Sequence, residues 1–169
     1  DAIRIHVSPQ NPVSKNVDHA VASIDMDDKR FFLENILKEY PEKKFIVFAR
    51  TKVRVERIVA AMQRVSVNSE ALHGGIEQND RFAILDRFRS GENNVLITTD
   101  VACRGIDIPD MDYVVNYDLP DNPENYVHRC GRTGRGNKRG QALSFCSKDE
   151  NLLLDAIESY TGEEVQRFN

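Results

Sequence analysis

Short apolar runs alternate with longer amphipathic segments through most of this chain of 169 residues. The runs with the composition of strands are His19–Ile24, Phe45–Phe48, Val67–Leu72, Val95–Thr98, Tyr113–Val115 and Ala142–Cys146. The segments between them carry helical patterns or turn signals. Strands that are apolar throughout are typical of a parallel sheet buried on both sides. The alternation therefore predicts an α/β fold, a parallel sheet with helices on both faces.

Local signals place several of the predicted helices. Apolar spacing predicts helices at Lys52–Val65 and Asn79–Ser90. Ser147 and Glu150 have the spacing of a capping box, in which each side chain bonds the other residue's backbone N–H. Gly162 stands where it can end the helix that follows. These signals predict a last helix between Ser147 and Gly162.

The first and fifth helices are predicted from fewer residues. Asp27 or Asp28 is expected to cap the first helix, and Pro123 suits the first turn of a short later one. Phe31 and Phe32 recur with other apolar residues at helical spacing. We expect both rings to pack the first helix on the sheet.

The chain has the length of one domain. Residues 1–17 are rich in Pro, Ser and Asn and lack periodicity, so they are predicted to be a linker segment that leads into a single domain over residues 18–169. The first residue is not Met, so we expect the chain to be part of a longer protein.

Composition excludes several classes of protein. The formal net charge of −4 argues against nucleic-acid binding driven by net charge alone, but not against a local basic surface. No apolar run approaches the roughly 20 residues of a membrane span, and no secretory signal opens the chain. The three cysteines and four histidines are scattered without a C-x-x-C pair, so we expect no zinc site, no disulfide framework and a cytoplasmic location.

Polar segments follow three of the predicted strands directly. They are Arg50–Lys52, His73–Gly75 and Thr99–Asp100. In open α/β sheets, ligands bind outside the carboxyl ends of the strands. We therefore expect these three segments to lie together at one edge of the sheet.

A basic segment, His128–Arg135 (HRCGRTGR), interleaves three arginines with two glycines. Five Lys or Arg residues and no acidic residue occur within Val127–Gln141. Arginine forks so close together repel one another unless an anion lies between them, and glycine lets the backbone approach that anion. The segment therefore predicts binding of a polyphosphate during its transfer. The alternative is a solvated basic loop.

A second polar segment, Thr98–Pro109, joins hydroxyl, carboxylate, guanidinium and glycine groups after a strand. Thr99 can donate to a phosphate, and Asp107 can accept from a ribose hydroxyl. Arg104 can hold Asp107 or reach a backbone phosphate. A capped turn with a local ion pair explains the same spacing equally well.

These segments together resemble a known family. TDVACRGID followed by HRCGRTGR looks like motifs V and VI of the DEAD-box RNA helicases, and FIVFART resembles motif IV. HGG with Gln78 and Arg81 resembles the segment of the family's Q-x-x-R element. Bacterial RhlE-type helicases are the subgroup that the chain resembles most. Because the chain has no G-x-x-x-x-G-K-[ST] phosphate loop and no D-E-A-D tetrad, the resemblance implies the second, C-terminal RecA-like domain alone.

The resemblance implies roles at the nucleotide. Arg132 and Arg135 would be arginine fingers for ATP bound on the missing first domain. His128 would couple the nucleotide site to the RNA site. Asp107 would contact the ribose, and Gly105 would allow close approach. Mg²⁺ would be held by the missing first domain.

The resemblance also implies a track for RNA. The residues expected along its backbone are Thr51, Gly74, Gln78, Arg81, Thr99 and Arg104. Arg129 is expected to support the interface between the two sites. Contacts of this kind position a strand without reading its bases, so binding would be independent of sequence. Taken without the resemblance, Gln78 and Arg81 also fit a plain solvated helix face.

Two positions depart from the family's pattern. Cys103 stands where the family usually has Ala, and Cys130 where it usually has Ile or Val. Both side chains are small and tolerate apolar surroundings, so we expect effects on packing only.

The implied activity is ATP-dependent unwinding or remodelling of RNA by the whole protein. Its partners would be single-stranded or duplex RNA and the N-terminal RecA-like domain of the same protein, with no membrane. The isolated chain would be inactive. One alternative is another superfamily 2 motor, such as a DNA helicase. A second is a non-catalytic module that binds RNA or a partner protein.

Overall fold

The computed structural model describes residues 12–108, 111–136 and 138–168. These residues form one parallel sheet with helices packed on it. Its seven strands have the order β3-β4-β2-β5-β6-β1-β7. They are β1 (Val17–Ser23), β2 (Phe45–Phe48), β3 (Glu70–Leu72), β4 (Val95–Thr98), β5 (Tyr113–Asn116), β6 (Gly140–Cys146) and β7 (Gln166–Phe168). Residues 1–11 of the predicted linker lie outside the described residues.

Helices cover both faces of this sheet. They are α1 (Lys29–Glu39), α2 (Lys52–Arg64), α3 (Gln78–Ser90), α4 (Asp100–Cys103), α5 (Pro123–Cys130) and α6 (Asn151–Thr161), with 3₁₀ turns at Met26–Asp28 and Lys148–Glu150. One core cluster packs α1 and α2 on one face of the sheet. A second cluster packs the helices α3, α4, α5 and α6 on the other face. The predicted parallel sheet with helices on both faces is confirmed.

The central strand β2 sets the register of the sheet. All four of its residues are buried. Phe48 lies opposite Thr98 of β4 on one side and opposite Asn116 of β5 on the other. The carboxyl ends of these strands are therefore level, and the segments that follow them begin at one edge, the carboxyl edge.

The boundaries of two strands differ from the prediction. β1 begins at Val17 instead of His19. β3 begins at Glu70 instead of Val67, because the preceding residues end α2: the N–H of Val67 donates to the carbonyl of Met62, and Ser66 adopts a φ of 63°. Strand β7 was not predicted, since its sequence is polar and it pairs only with β1.

The predicted helix ends are mostly confirmed. Both hydrogen bonds of the capping box between Ser147 and Glu150 are present. Gly162 ends α6 in the left-handed conformation, with a φ of 72°, and Pro123 begins α5. Asp28 precedes α1 but its side chain makes no capping bond. The helix continues there from a 3₁₀ turn.

The face of α1 that packs on the sheet differs from the prediction. Leu33 and Leu37 are buried, whereas Phe31 is 60% exposed and Phe32 is 43% exposed. Phe32 keeps one ring contact with Phe145 of β6, at 6.4 Å between centroids. The expectation that both rings pack on the sheet is therefore wrong for Phe31, because helical spacing alone leaves the rotation of the helix undecided.

Residues just before β1 hold the loop that follows the basic segment. The side-chain amide of Asn16 donates to the carbonyls of Gly134, at 2.6 Å, and Lys138. The Asn16 carbonyl accepts the N–H of Gly140 at 2.9 Å. Val13 is buried in the core. The described part of residues 1–17 therefore packs against the rest of the chain.

A buried lysine anchors the start of α1 to the carboxyl edge. The Lys29 ammonium is fully buried and lies 2.7 Å from Glu150 Oε1 and 3.3 Å from Asp118 Oδ1. Burial raises the pKa of Asp118, but its hydrogen bonds from the Arg54 side chain and the Arg50 backbone and its attraction to Lys29 outweigh burial and lower that pKa overall. Asp118 is therefore ionised in the folded chain at neutral pH.

Replacing Lys29 by Ala is expected to reduce the free energy of unfolding by about 3–5 kcal/mol, because two buried carboxylates lose the buried ammonium that lies between them. Urea unfolding monitored by circular dichroism measures the change. Lys38→Ala on the same helix is the control, since its exposed pair with Glu34 contributes only about 0.3–0.5 kcal/mol. Equal effects of the two substitutions would contradict this account of Lys29.

Candidate functional site

The polar segments that follow β2, β3 and β4 meet at the carboxyl edge. The strands are neighbours and end level with one another, as the pairs Leu72 with Thr98 and Phe48 with Thr98 show. Arg50, His73 and Thr99 then leave the sheet side by side. The predicted clustering of these segments is confirmed.

Two threonines at this edge begin helices. The hydroxyl oxygen of Thr51 accepts the N–H of Arg54, and that of Thr99 accepts the N–H of Ala102, each at 3.2 Å. Each oxygen thus caps a helix, while the hydroxyl proton stays available for an outside acceptor. Thr51 is exposed, whereas Thr99 is 9% exposed.

The loop after β3 is fixed by His73. Its Nδ1 accepts the N–H of Gly75 at 3.0 Å, so a neutral ring carries its proton on Nε2 and donates to Glu56 Oε2 at 2.5 Å. A Cβ at Gly75 would stand 3.1 Å from the His73 ring, so a larger residue would require the ring to shift by a few tenths of an ångström. Glu56 lies in the middle of α2, and no local sequence signal links it to this loop.

Arg81 holds the same loop from the other side. Its Nε donates to the carbonyl of Ile76 at 3.0 Å, and its Nη2 donates to the carbonyl of Gly74 at 3.3 Å. The alternative of a plain solvated face is therefore wrong for Arg81. Gln78, one turn earlier, is exposed at the start of α3.

The segment after α4 turns at Gly105, whose φ is 77°. Arg104 and Asp107 on either side are both exposed. Among the described residues no ion pair joins them, so the local ion pair expected as one reading of this segment is wrong. The Asp107 backbone carbonyl instead accepts from Arg89 Nη2 at 2.9 Å.

The first arginine of the basic segment points into the domain. Arg129 is 1% exposed, and its Nε and Nη2 lie 2.7 and 2.8 Å from the two Asp100 oxygens. Its Nη1 donates to Asn116 Oδ1 at 3.1 Å and to the Asp118 carbonyl at 2.7 Å. The anion expected between the arginines is thus, for Arg129, a carboxylate of the same chain. Arg129 braces α5 against α4 and β5.

The two later arginines lie nearer the surface. Arg132 is half-buried and donates to the carbonyls of Cys103 and Ile106, at 3.0 and 3.1 Å. Arg135 is exposed, with its Nε 3.4 Å from the Gly131 carbonyl. The segment therefore separates into one buried brace and two arginines closer to solvent.

A small pocket of about 100 Å³ opens between α4 and α5. The predicted site residues that line it are Arg104, Gly105, His128 and Arg132. The pair of the half-buried Asp100 and the buried Arg129 forms part of its wall. Asp107 and Arg135 do not line it. The structure thus brings together four of the predicted residues here.

The cysteines beside this pocket are neutral thiols. Burial raises the pKa of Cys103 to about 11 and that of Cys130 to about 12. Both side chains are buried and free of disulfides. Protonated thiols are poor nucleophiles and poor metal ligands, which agrees with the expected packing role.

Neither a metal centre nor a membrane span occurs in the part of the chain that the structure describes. No three His, Cys, Asp or Glu side chains there are grouped so as to hold a metal ion. No helix there has both the length and the apolar character to cross a bilayer.

Known proteins match this chain along most of its length. Residues 28–137 match the family described as the helicase conserved C-terminal domain. ATP-dependent RNA helicase DbpA of Bacillus subtilis (strain 168) is 39% identical over 164 residues, which are 97% of this chain and 34% of DbpA. RhlB of Shewanella amazonensis is 38% identical over 95% of this chain and 36% of its own length. The chain thus spans about a third of these relatives.

Solved structures share the fold. The E. coli DEAD-box protein SrmB, bound to the regulator RraA, superposes with a TM-score of 0.86 at 33% identity, covering 92% of both chains. S. cerevisiae Dbp5 bound to RNA and ADP BeF3 gives the same TM-score and identity over 92% of this chain and 42% of Dbp5. The RhlE-type subgroup stays a prediction. By its family match, its relatives and its fold, this chain belongs to the helicase conserved C-terminal domain family and is a C-terminal RecA-like domain of the DEAD-box type.

Proposed function

We propose that this chain is the second RecA-like domain of an ATP-dependent RNA helicase, where it completes the ATP-hydrolysis site and forms half of the RNA track. The observation that carries the proposal is the placing of two separate polar surfaces at one edge of the sheet. One is the pocket between α4 and α5. The other is formed by the segments after β2, β3 and β4, and the Arg129–Asp100 pair joins the last of these segments to α5.

The pocket has the chemistry to receive a phosphate-bearing nucleotide. Arg132 offers a guanidinium fork, and Asp100, the one acid among the described lining residues, is neutralised by Arg129. The space beside the Gly105 Cα is open, since a Cβ there would meet no atom within 4 Å. Asp107 would accept from the ribose of a nucleotide at this site.

In the proposed reaction, Arg132 and Arg135 act by electrostatic stabilisation. ATP would supply the phosphoanhydride whose hydrolysis drives the cycle, held with Mg²⁺ by a first domain outside this chain. Arg132 and Arg135 would stabilise the negative charge that develops on the transferred phosphoryl group. His128, on the exposed side of α5, would link this site to the RNA track.

The RNA track would contact the sugar–phosphate backbone. Thr51 and Thr99 would donate their hydroxyl protons to phosphate oxygens, and Gly74 would let the strand approach the backbone. Gln78 and Arg104, both exposed, would add side-chain contacts. Arg81 would contribute mainly by holding the Gly74 carbonyl in place.

Closure of the two domains would assemble both sites at once. Only the closed state would bring Arg132 and Arg135 to the nucleotide and bend the bound strand, which would unpair a short duplex. Release of phosphate would reopen the cleft. The names of the relatives favour RNA over DNA as the substrate. If the protein were a DNA motor, DNA would stimulate its ATP hydrolysis at least as much as RNA of the same sequence. If it were a non-catalytic module, its function would not depend on Arg132 and Arg135.

The first test is Arg132→Ala in the full-length protein. RNA-stimulated ATP turnover is expected to fall about 10³–10⁵-fold, because a finger that stabilises only the transition state is lost, while ATP binding is largely kept. Steady-state hydrolysis and equilibrium nucleotide binding measure the two effects.

Two further variants control this test. Arg135→Ala removes the second proposed finger, and a similar direction of change is expected. Arg139→Ala removes an exposed arginine that pairs with Asp18, and turnover should stay unchanged. Normal turnover of Arg132→Ala would show that the arginine serves RNA or a partner instead.

The second test places a charge on the RNA track. Asp and Asn both cap helices well, so Thr51→Asp and Thr51→Asn should leave the stability of α2 nearly unchanged. Only the Asp side chain is charged and repels a phosphate. The RNA affinity of the Thr51→Asp variant is therefore expected to be about tenfold lower than that of the Thr51→Asn variant. Fluorescence anisotropy with labelled single-stranded RNA measures both. Equal affinities of the two variants would remove Thr51 from the track.

The third test concerns the chain alone. Because it holds half of the track and a net charge of −4, it should bind single-stranded RNA only on the non-specific scale, with a Kd of roughly 10⁻⁴–10⁻⁶ M at physiological salt. Nanomolar binding by the isolated chain would contradict the division of the track between two domains.

A further inference from the structure

A groove lined by arginines lies on the face of the sheet that carries α1 and α2, away from the pocket between α4 and α5. It runs between the beginning of α1 and most of the length of α2, with a volume of about 470 Å³. Its arginines are Arg30, Arg54, Arg57 and Arg64, and its acidic side chain is Asp27. The proposed ATP and RNA contacts use none of these residues.

The groove concentrates positive charge on a chain that is negative overall. Helix α2 carries four basic residues and one acidic residue, against a formal net charge of −4 for the whole chain. Arg54 is neutralised by Asp118, at 2.7 Å. Among the described residues no carboxylate lies within 4 Å of the guanidinium groups of Arg30, Arg57 or Arg64. Within the described part of the chain, three guanidinium groups therefore share the groove without a direct ion pair, and Asp27 is the acidic residue of its lining.

The groove continues into the surface around the proposed RNA loop. Arg57 and Ala60 line both this groove and a recess on the other side of α2. The recess is also bordered by Lys52, Gly75 and the bonded pair of Glu56 and His73. The recess adjoins the loop whose Gly74 belongs to the RNA track. One surface thus leads from the carboxyl edge across α2 to the arginines.

We propose that this groove binds the sugar–phosphate backbone of single-stranded RNA that extends beyond the track at the carboxyl edge. The inference rests on the proposed function, because it needs a strand on that track. Arg54 and Arg64 are ten residues apart on α2, about 15 Å along the helix axis, which is long enough for a few phosphates of a strand. An acidic peptide would satisfy the same guanidinium groups, but continuity with the track favours RNA.

Contacts in the groove are restricted to the backbone of the strand. Tyr117, its aromatic lining residue, is only 4% exposed. The ring is covered by Arg54, 5.6 Å from its centroid, and by the edge of Phe145. No face of the ring is therefore free to stack on a base, and binding in the groove is independent of sequence.

The experiment compares two lengths of RNA on the full-length protein. An RNA of about 6 nucleotides fills the track alone, and one of about 16 nucleotides reaches the groove as well. The variant is Arg57→Gln with Arg64→Gln, two exposed residues that form no ion pair with any other described residue. Lys38→Gln with Lys43→Gln removes the same charge at the far end of α1 and serves as the control.

The expected result is a loss confined to the long RNA. Its affinity falls about tenfold in the arginine variant, and the slope of log affinity against log salt decreases by about 1.4, at about 0.7 for each lost phosphate contact. The short RNA keeps its affinity in all variants, and the control binds both RNAs normally.

Other results overturn the proposal in distinct ways. Unchanged binding of the long RNA by the arginine variant removes the groove from the RNA path, and loss of polyglutamate binding in that variant would then point to an acidic protein. Equal losses for the two lengths place the arginines on the track itself. Failure of both RNAs to bind the unaltered protein would refute the proposed function, and with it the role of the groove.

Discussion

The ion pair between the buried Arg129 and the half-buried Asp100 is the interaction on which the carboxyl edge depends. Its two short bonds tie α5 to α4, and the same guanidinium reaches Asn116 and the Asp118 carbonyl at the end of β5. Removing Asp100 is expected to cost about 3–5 kcal/mol, because the Arg129 charge would stay buried without its carboxylate. The pair therefore fixes where Thr99, just before α4, and Arg132, just after α5, stand in relation to each other.

Asp118 extends this brace to the opposite face of the sheet. Its carbonyl binds Arg129, while its carboxylate accepts from the Arg50 N–H, from Lys29 and from both ends of the Arg54 fork. The pKa of this carboxyl is lowered in the fold, so the stability that it contributes is present above the pKa of the unfolded chain. That contribution is lost as the pH falls through the folded value. One residue thus couples the two helical layers at the carboxyl edge.

Arg132 is held differently from its neighbour. Its two hydrogen bonds go to backbone carbonyls near the end of α4, Cys103 and Ile106, and leave it half-buried. Reaching a nucleotide on another domain would exchange these bonds for bonds to phosphate, where a full opposing charge makes each bond stronger. In the proposed closure, an arginine already ordered in this way would lose less conformational entropy when the site assembles.

The sequence alone determined the features that arise from neighbouring residues. The alternation of strands and helices, the capping box of Ser147 and Glu150, and the left-handed Gly162 follow from periodicity and backbone sterics within a few positions. The carboxyl edge as the place of the site follows from parallel strands. The motifs also named four of the residues that line the pocket between α4 and α5.

Only the tertiary structure decided which of several equivalent side chains point inward. Arg129 and Arg132 are alike in sequence, but Arg129 meets a carboxylate 29 positions away and Arg132 does not. Phe31 and Leu33 both fit a helix face, yet the sheet covers Leu33 alone. The hydrogen bond between Glu56 and His73 likewise joins residues that are distant in sequence. The orientation of these side chains depends on contacts between segments that are distant in sequence. Neighbouring residues cannot predict such contacts, because the contacts form only when the sheet brings the segments together.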